Sequence, residues 1–120
     1  MPDARPPAGL RAAERIRRHA DFQEVYKQGV RVSGRLMLLF VRPNDLPVAR
    51  LGVAATRKLG GAVIRNRAKR RVREAFRRNK PAPGVDVVVV PRPELLNAPF
   101  DELAADFVTA LARFRRARRG

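Results

Sequence analysis

The hydrophobic residues of this chain follow two kinds of spacing, and the first kind appears near the N-terminus. Within His19–Gln28, the residues Phe22, Val25 and Tyr26 recur at three- and four-residue steps, and Gly29 follows where a helix would end. Steps of this size place side chains on one face of an α-helix. The pattern therefore predicts a short helix over residues 19–28.

Continuous apolar runs mark the strands. Residues 31–42 contain the run Leu36–Val41 and are followed by a loop rich in turn-forming residues, so they predict one strand. Residues 50–56 predict a second strand, which we expect to pair antiparallel with the first across that loop. The run Val85–Val90 is β-branched and too short for a helix, so it predicts a central strand that is covered on both faces.

Two further segments have helical spacing. From Ala62 to about Arg78 the apolar positions recur at three- and four-residue steps, and the prolines and glycine at positions 81–84 prevent the helix from continuing. Its predicted core stripe is Ile64, Ala68, Val72, Ala75 and Phe76. A last helix begins near Pro99, with acidic residues in its first turn. Its predicted core stripe is Leu103, Phe107, Leu111 and Phe114.

These elements predict an α+β fold: a small mixed sheet of about four strands packed with three helices, in the order α-β-β-β-α-β-α. The predicted organisation is a flexible N-terminal leader over residues 1–14, one domain over residues 15–115 and a basic C-terminal tail over residues 116–120. The chain of 120 residues is long enough for one small hydrophobic core.

The charge of the chain indicates a polyanionic partner. Lys and Arg number 27 against 11 Asp and Glu, which gives a formal net charge of +16. A charge of this size on a small domain favours nucleic acid, with an anionic membrane surface as the weaker alternative. The sequence has no cysteine, which excludes disulfides and thiolate chemistry. No stretch has the length of a membrane span or the pattern of a signal peptide, so we expect a cytoplasmic protein.

The predicted helix from Ala62 to about Arg78 concentrates that charge. On a helical wheel, one stripe lies opposite the core positions and consists of Asn66, Arg70, Arg73 and Arg77. Arg65 and Lys69 border the apolar side, and the other flank carries Arg67, Arg71 and Arg78. Glu74 is the one acidic residue of this helix. Such a helix is favourable when phosphates neutralise it, and the alternative is a basic face that is merely solvated.

Aromatic residues suggest a second binding feature. Phe22 and Tyr26 lie four apart on the first predicted helix, and Phe40 lies on the apolar strand, so the three rings can line one groove. Bases of a single strand stack on such rings. The alternative is that all three belong to the core. His19 has no carboxylate and nucleophile set, and Gly60-Gly61 lacks the spacing of a phosphate loop, so we expect no self-contained catalysis.

The segment from Gly60 to Glu74 resembles the Arg-Asn-Arg signature of the bacterial ribonuclease P protein subunit. The glycine turn, the triplet Arg65-Asn66-Arg67, the Lys69-Arg70 pair and Arg73 occur in that family's order and spacing. Residues 21–29 resemble the family's first helix, and residues 51–58 resemble the strand before the signature. The resemblance covers roughly residues 15–115.

The resemblance implies a ribonucleoprotein enzyme in which the RNA subunit, with Mg²⁺ bound mainly by that RNA, removes the 5′ leader of precursor tRNA. The catalytic RNA would be bound by the signature helix, through Arg65, Asn66, Arg67, Lys69, Arg70 and Arg73. The single-stranded leader would lie in a groove of Phe22, Tyr26, Phe40, Arg57 and Lys58. The resemblance also implies a left-handed βαβ crossover, no catalytic residue or confidently assigned metal ligand in the protein, and no membrane or obligate protein partner.

Two other functions are compatible with the charge alone. The first is a non-catalytic ribosomal-type RNA-binding protein or RNA chaperone, which would bind many RNAs with a steep salt dependence and would not affect processing. The second is a protein nuclease with its own active site, for which the sequence shows no catalytic residues.

Overall fold

The computed structural model describes residues 10–119, and the side chains as far as Arg116. These residues form three α-helices and four β-strands. In chain order they are α1 (His19–Gln28), β1 (Val30–Ser33), β2 (Met37–Pro43), β3 (Arg50–Val53), α2 (Ala62–Arg78), β4 (Val85–Pro91) and α3 (Phe100–Arg119). The α+β class and the predicted order of elements are confirmed.

The four strands form one mixed sheet in the order β1-β2-β4-β3. Both β1 and β4 lie antiparallel to β2, whereas β3 lies parallel to β4. The expected antiparallel pairing of residues 50–56 with the strand before them is therefore wrong, because β4 lies between the two. A parallel pair needs a crossover, and α2 provides it, which makes the βαβ unit that the resemblance implied.

Residues 31–42 form two strands and not the one strand that the sequence predicted. The chain turns at Gly34, whose N–H donates to the carbonyl of Met37 over 2.8 Å. The carboxylate of Asp106, on α3, accepts the backbone N–H groups of Arg35 and Leu36 over 3.0 and 2.9 Å. A side chain distant in sequence thus satisfies the donors that the turn exposes.

The core lies mainly on the face of the sheet that α2 and α3 cover. The predicted stripe of α3 is buried there, and Phe107 packs edge-on against Phe76 of α2 with 6.3 Å between ring centroids. On α2 the prediction holds for four of its positions, whereas Ile64 is 41% exposed. The opposite face carries α1 and a smaller cluster that includes Val25 and Val88. This second face is only partly covered, which leaves room for a ligand.

The packed part of the domain begins earlier than predicted. Residues 1–9 of the predicted leader lie outside the described residues, but Leu10 is buried in the main core, and the Glu14 carboxylate forms an ion pair with Lys80. Residues 10–14 therefore belong to the domain because both an apolar and a charged contact hold them. At the other end, α3 continues to Arg119, so residues 116–119 of the predicted tail extend a helix. None of the helices within residues 10–119 is both long and apolar enough to cross a membrane.

Candidate nucleic-acid interface

A glycine turn sets where the basic helix α2 begins. Gly60 has φ +149°, a backbone conformation that favours glycine, and Gly61 accepts the first helical hydrogen bond from the N–H of Arg65 over 2.9 Å. The helix ends at Asn79, whose amide side chain donates to the carbonyl of Ala75 over 3.0 Å. The signature residues therefore lie in the first three turns of a helix with defined ends.

The structure divides the basic residues of α2 into two stripes. Asn66, Arg67 and Arg70 are exposed and form an outer stripe. An inner stripe, spaced four residues apart along the helix, is half-buried and consists of Arg65, Lys69 and Arg73. The helical wheel grouped Arg73 with Asn66 and Arg70, but the structure places Arg73 with the inner stripe, because the chain segment before α1 packs beside it.

Three other arginines of α2 have protein partners. Arg71 donates to two backbone carbonyls of the segment that precedes α3, one of them over 2.9 Å. Arg77 and Arg78 both bind the carboxylate of Glu74, and the hydrogen bond from Arg77 is the largest influence that lowers the pKa of Glu74 below its ordinary value. In contrast, the inner and outer stripes make no side-chain hydrogen bond or ion pair with any described residue. Their donors are therefore available to a ligand.

The three predicted aromatic residues come together on the partly covered face of the sheet. Phe22 and Tyr26, on α1, have ring centroids 6.5 Å apart, and Tyr26 meets Phe40, on β2, edge-on at 5.0 Å. All three rings are half-buried, and they pack on the small cluster under α1. Burial raises the pKa of the Tyr26 phenol. The two alternatives from the sequence are therefore compatible, since each aromatic residue packs on the cluster and is still partly exposed.

Gly52 allows Phe22 to lie close to the sheet. A Cβ atom at position 52 would lie 2.7 Å from two atoms of the Phe22 ring, which is inside van der Waals contact. Only a residue without a side chain lets the ring pack on β3 at this distance. The position of the aromatic groove therefore depends on this glycine.

The two predicted basic groove residues lie on a short turn after β3. Arg57 and Lys58 are both exposed in the 3₁₀ turn Arg57–Leu59. Lys58 lines a shallow cleft with Leu38. Leu38 is two residues from Phe40 on β2, so the two side chains lie on the same face of the sheet. The structure thus brings Lys58 to the groove face, and Arg57 lies exposed on the same turn.

A buried carboxylate that the sequence analysis missed lies at the other end of this face. Asp86, on β4, has no exposed surface and accepts two hydrogen bonds of 2.8 Å from Arg50, together with bonds from Arg42 and Asn44. Burial alone would raise its pKa, but the bonds from Arg50 and Asn44 and the two positive charges outweigh burial and lower it. The signal that the sequence offered for this site was one acidic residue within the β-branched run Val85–Val90.

The same cluster holds α1 in place. Arg50 also lies 3.9 Å from the carboxylate of Asp21, near the start of α1, and Arg42 donates over 3.1 Å to the side-chain oxygen of Gln28, at its end. Both ends of the helix that carries Phe22 and Tyr26 are thus tied to arginines that Asp86 binds.

Neither a cluster of histidines nor a group of metal ligands occurs among the described residues. His19 is exposed at the start of α1. Between residues 10 and 119, no group of three or more His, Asp and Glu side chains lies together as a metal site would require. The candidate functional surface consists of the basic helix α2 and the three aromatic rings.

Comparison with known proteins agrees with this geometry. The family model described as Ribonuclease P matches residues 10–115. This chain belongs to the bacterial ribonuclease P protein family. The ribonuclease P protein component of Chloroflexus aurantiacus is 42% identical over 107 residues, which cover 87% of this chain and 78% of the relative. That of Symbiobacterium thermophilum is 43% identical over 97 residues, which cover 78% of this chain and 84% of the relative.

Solved structures of the family share the fold. The ribonuclease P protein of Thermotoga maritima superposes with a TM-score of 0.75 at 36% identity, and the match covers 83% of this chain and 96% of that one. The Staphylococcus aureus protein superposes with a TM-score of 0.72 at 31% identity over 82% and 93% of the two chains. The chain is therefore the RNA-binding protein component of ribonuclease P, a tRNA-processing ribonucleoprotein endonuclease, and not a ribosomal-type protein or a chaperone.

Proposed function

We propose that α2 binds the catalytic RNA while the aromatic groove holds the single-stranded 5′ leader of precursor tRNA. In this arrangement the protein assists endonucleolytic removal of the leader, which leaves the mature 5′ end. The observation that carries the proposal is that the six signature positions lie on α2 and form no side-chain hydrogen bond or ion pair with any other residue that the structure describes. They are Arg65, Asn66, Arg67, Lys69, Arg70 and Arg73.

Electrostatics explains why these side chains suit RNA. Each phosphate that an arginine or lysine neutralises releases condensed counterions, which favours binding and makes it sensitive to salt. The arginine guanidinium also matches two phosphate oxygens at once. Phosphates that neutralise the unpaired cations of α2 therefore favour RNA binding, and they also stabilise the helix.

The groove suits a single strand. Bases of an unpaired strand stack on aromatic rings for roughly 1–3 kcal/mol each, whatever their sequence. Phe22, Tyr26 and Phe40 are each partly exposed, and Lys58 lies on the same sheet face, with Arg57 on the adjacent part of the turn. We assign these five residues to the leader, because mature tRNA has no unpaired strand at that end.

The metal ions of the reaction belong, in this proposal, to the RNA. Mg²⁺ prefers oxygen ligands and keeps several waters, and RNA phosphates supply such ligands. The protein's contribution is to reduce repulsion between RNA strands, so cleavage should need less Mg²⁺ when the protein is present. We also propose that the protein acts in the cytoplasm.

The decisive experiment is cleavage of a labelled precursor tRNA by a bacterial ribonuclease P RNA at low Mg²⁺, with and without the protein. We expect strong stimulation by the wild type and loss of stimulation when Arg65, Asn66 and Arg67 are all replaced by alanine. The matched control removes two exposed charges from α3, with Arg115→Ala and Arg116→Ala. Equal stimulation by both variants would contradict the role of α2.

The groove has its own test. We expect Phe22→Ala and Phe40→Ala to weaken binding of precursor tRNA by the assembled enzyme about tenfold, which corresponds to one lost stacking contact. Binding of mature tRNA should change little. Equal losses for the two substrates would place the leader elsewhere.

A further inference from the structure

A second basic site lies at the outer edge of β3, beside the aromatic groove. It is a cleft with a volume of about 360 Å³. Its walls include four cationic side chains and one aromatic ring over a glycine: Arg15, Arg17, Lys69, Arg73, Phe22 and Gly52. We refer to it below as the edge cleft. The volume far exceeds the roughly 30 Å³ of one water molecule, so a phosphodiester group can enter together with water.

The N-terminal wall of the edge cleft is held in place by the fold. Arg15 forms a β-bridge with Leu51 at the edge of β3, and the N–H of Ile16 donates to the carbonyl of Leu51 over 2.9 Å. The side chain of Ile16 is buried, so in this extended segment Arg15 and Arg17 lie together on the other side. The ion pair between Glu14 and Lys80 anchors the segment just before them. The cleft is thus formed before a ligand arrives.

The charges in the edge cleft have no counterion among residues 10–116. None of the described residues that line the cleft is acidic. The Nε atom of Arg15 is buried and has no hydrogen-bond partner among the described residues. Burial, followed by the charges of Arg15 and Arg17, lowers the pKa of Arg73 below its ordinary value. Buried donors without acceptors and adjacent like charges are both unfavourable, so this arrangement favours an anion.

We propose that the edge cleft binds a backbone phosphate of an RNA strand, held between Arg15 and Arg17 on one side and Lys69 and Arg73 on the other. Two arginine forks facing each other match the several oxygens of a phosphodiester. The proposal rests on the proposed function for the identity of the anion as RNA. It adds Arg15 and Arg17, which lie outside the signature helix, to the RNA-binding residues.

The neighbouring ring indicates how the strand runs. Phe22 lines the edge cleft and is also the first ring of the aromatic groove. A base stacked on the groove side of Phe22 would place an adjoining phosphate at the cleft. Either the leader or the catalytic RNA can supply such a phosphate, and the experiments below distinguish the two sources.

The first experiment uses inorganic phosphate and the full-length protein without RNA. Thermal unfolding is followed against phosphate concentration, with chloride of equal ionic strength as the reference. We expect phosphate to raise the midpoint above the chloride reference for the wild type and for Arg115→Gln, an equal loss of charge on α3. Arg73→Gln and, separately, Arg15→Gln should weaken apparent phosphate affinity about tenfold, which is the effect of one lost charge-assisted bond. Equal phosphate curves for all four proteins would overturn the site.

The second experiment identifies the strand in the reconstituted enzyme. Precursor tRNAs carry one neutral methylphosphonate linkage at successive leader positions. If the leader supplies the phosphate, one linkage weakens binding to the wild type about tenfold and has no further effect in Arg73→Gln. If the catalytic RNA supplies it, Arg73→Gln and Arg15→Gln weaken assembly with that RNA. In that case no methylphosphonate linkage in the leader affects binding differently in the wild type and in Arg73→Gln. Wild-type behaviour of both variants in both assays would overturn the proposal.

These outcomes are separable from those of the proposed function. Phosphate binding to the free protein does not depend on cleavage. If the alanine triple variant at Arg65, Asn66 and Arg67 still stimulates cleavage, the proposed role of α2 fails while the phosphate titration continues to support the edge cleft. If Arg73→Gln and Arg15→Gln show no specific loss of phosphate affinity, the edge-cleft proposal is wrong even when the protein still stimulates cleavage.

Discussion

Two groups of cationic side chains near β3 differ in how their charge is balanced. In the first group, Arg42 and Arg50 converge on the buried carboxylate of Asp86. In the second group, the edge cleft, four cations converge, and no acid from the part of the chain that the structure describes lies among them. Asp21, which lies 3.9 Å from Arg50, adds a second carboxylate, so the protein itself balances the two guanidinium charges of the first group, and the group holds α1 in place. The second group keeps an excess of positive charge, and such an excess is what a binding site for an anion requires.

The difference shows that arginine content alone says little about RNA contacts. A buried ion pair is costly to break, because removal of one partner leaves an uncompensated charge in the interior. An unbalanced group of cations is costly to keep, because its members repel one another until a ligand arrives. The two groups should therefore respond to neutralising substitutions with opposite signs.

The largest effect is expected for Asp86→Asn. The substitution leaves the charges of Arg42 and Arg50 unbalanced, and we expect it to lower the free energy of unfolding by about 3–5 kcal/mol. Urea denaturation at neutral pH measures this loss. Asp45→Asn, which removes an exposed carboxylate, is the control. A loss below about 1 kcal/mol would show that Asp86 does not balance the first group.

An intermediate effect is expected for Gly52→Ala, which acts between the two groups. The new Cβ would contact the Phe22 ring at 2.7 Å, so the ring or the strand must move. Overpacking of this kind costs about 1–3 kcal/mol. Because Phe22 lines both the groove and the edge cleft, binding of precursor tRNA should weaken as well. Unchanged stability together with unchanged binding would indicate that the ring is free to move away.

Acid should weaken the first group. The pKa of Asp86 is lowered in the folded state relative to its ordinary value of about 3.9. The carboxylate therefore stabilises the fold fully above that value, and the contribution is lost as pH falls towards the folded-state pKa. We expect unfolding free energy to fall between about pH 5 and pH 2, and less steeply in Asp86→Asn. Glu14 and Glu74, whose pKa values are also lowered, should leave a residual slope in the variant. Identical slopes would argue against this linkage.

The smallest effect has the opposite sign. Arg73→Gln removes one charge from the edge cleft, so the free protein should become more stable at low ionic strength, by up to about 1 kcal/mol for two relieved like-charge pairs. The gain should shrink at high salt, because screening already reduces the repulsion. Chemical denaturation at two salt concentrations measures it. Destabilisation by Arg73→Gln at low salt would mean that this arginine has a structural role.

Local pattern was sufficient for most of the elements. The helical steps at Phe22 and Tyr26 and the β-branched run at Val85–Val90 predicted α1 and the central strand, because side-chain periodicity follows from backbone geometry. The same pattern failed at residues 31–42, where the turn at Gly34 depends on Asp106 of α3. It also failed for the pairing of residues 50–56, because the chain that follows α2 returns as β4 and lies between β2 and β3.

The candidate site divides in the same way. The signature on α2 and the three aromatic positions are sequence features, since a helical wheel and a motif suffice to find them. The edge cleft is not, because Arg15 and Arg17 lie more than fifty positions before Lys69 and Arg73 in the chain. No short-range sequence pattern relates Arg15 and Arg17 to Lys69 and Arg73.

The sequence by itself determined the family, the order of the elements and the excess of positive charge that makes an RNA partner necessary. Only the tertiary structure decided which of those charges remain unbalanced. Asp86, together with Asp21, balances two arginines from other strands, whereas the segment at Arg15 brings further cations to the inner stripe of α2. Compensation of charge depends on distances across the fold, and those distances arise only when the sheet and its helices pack.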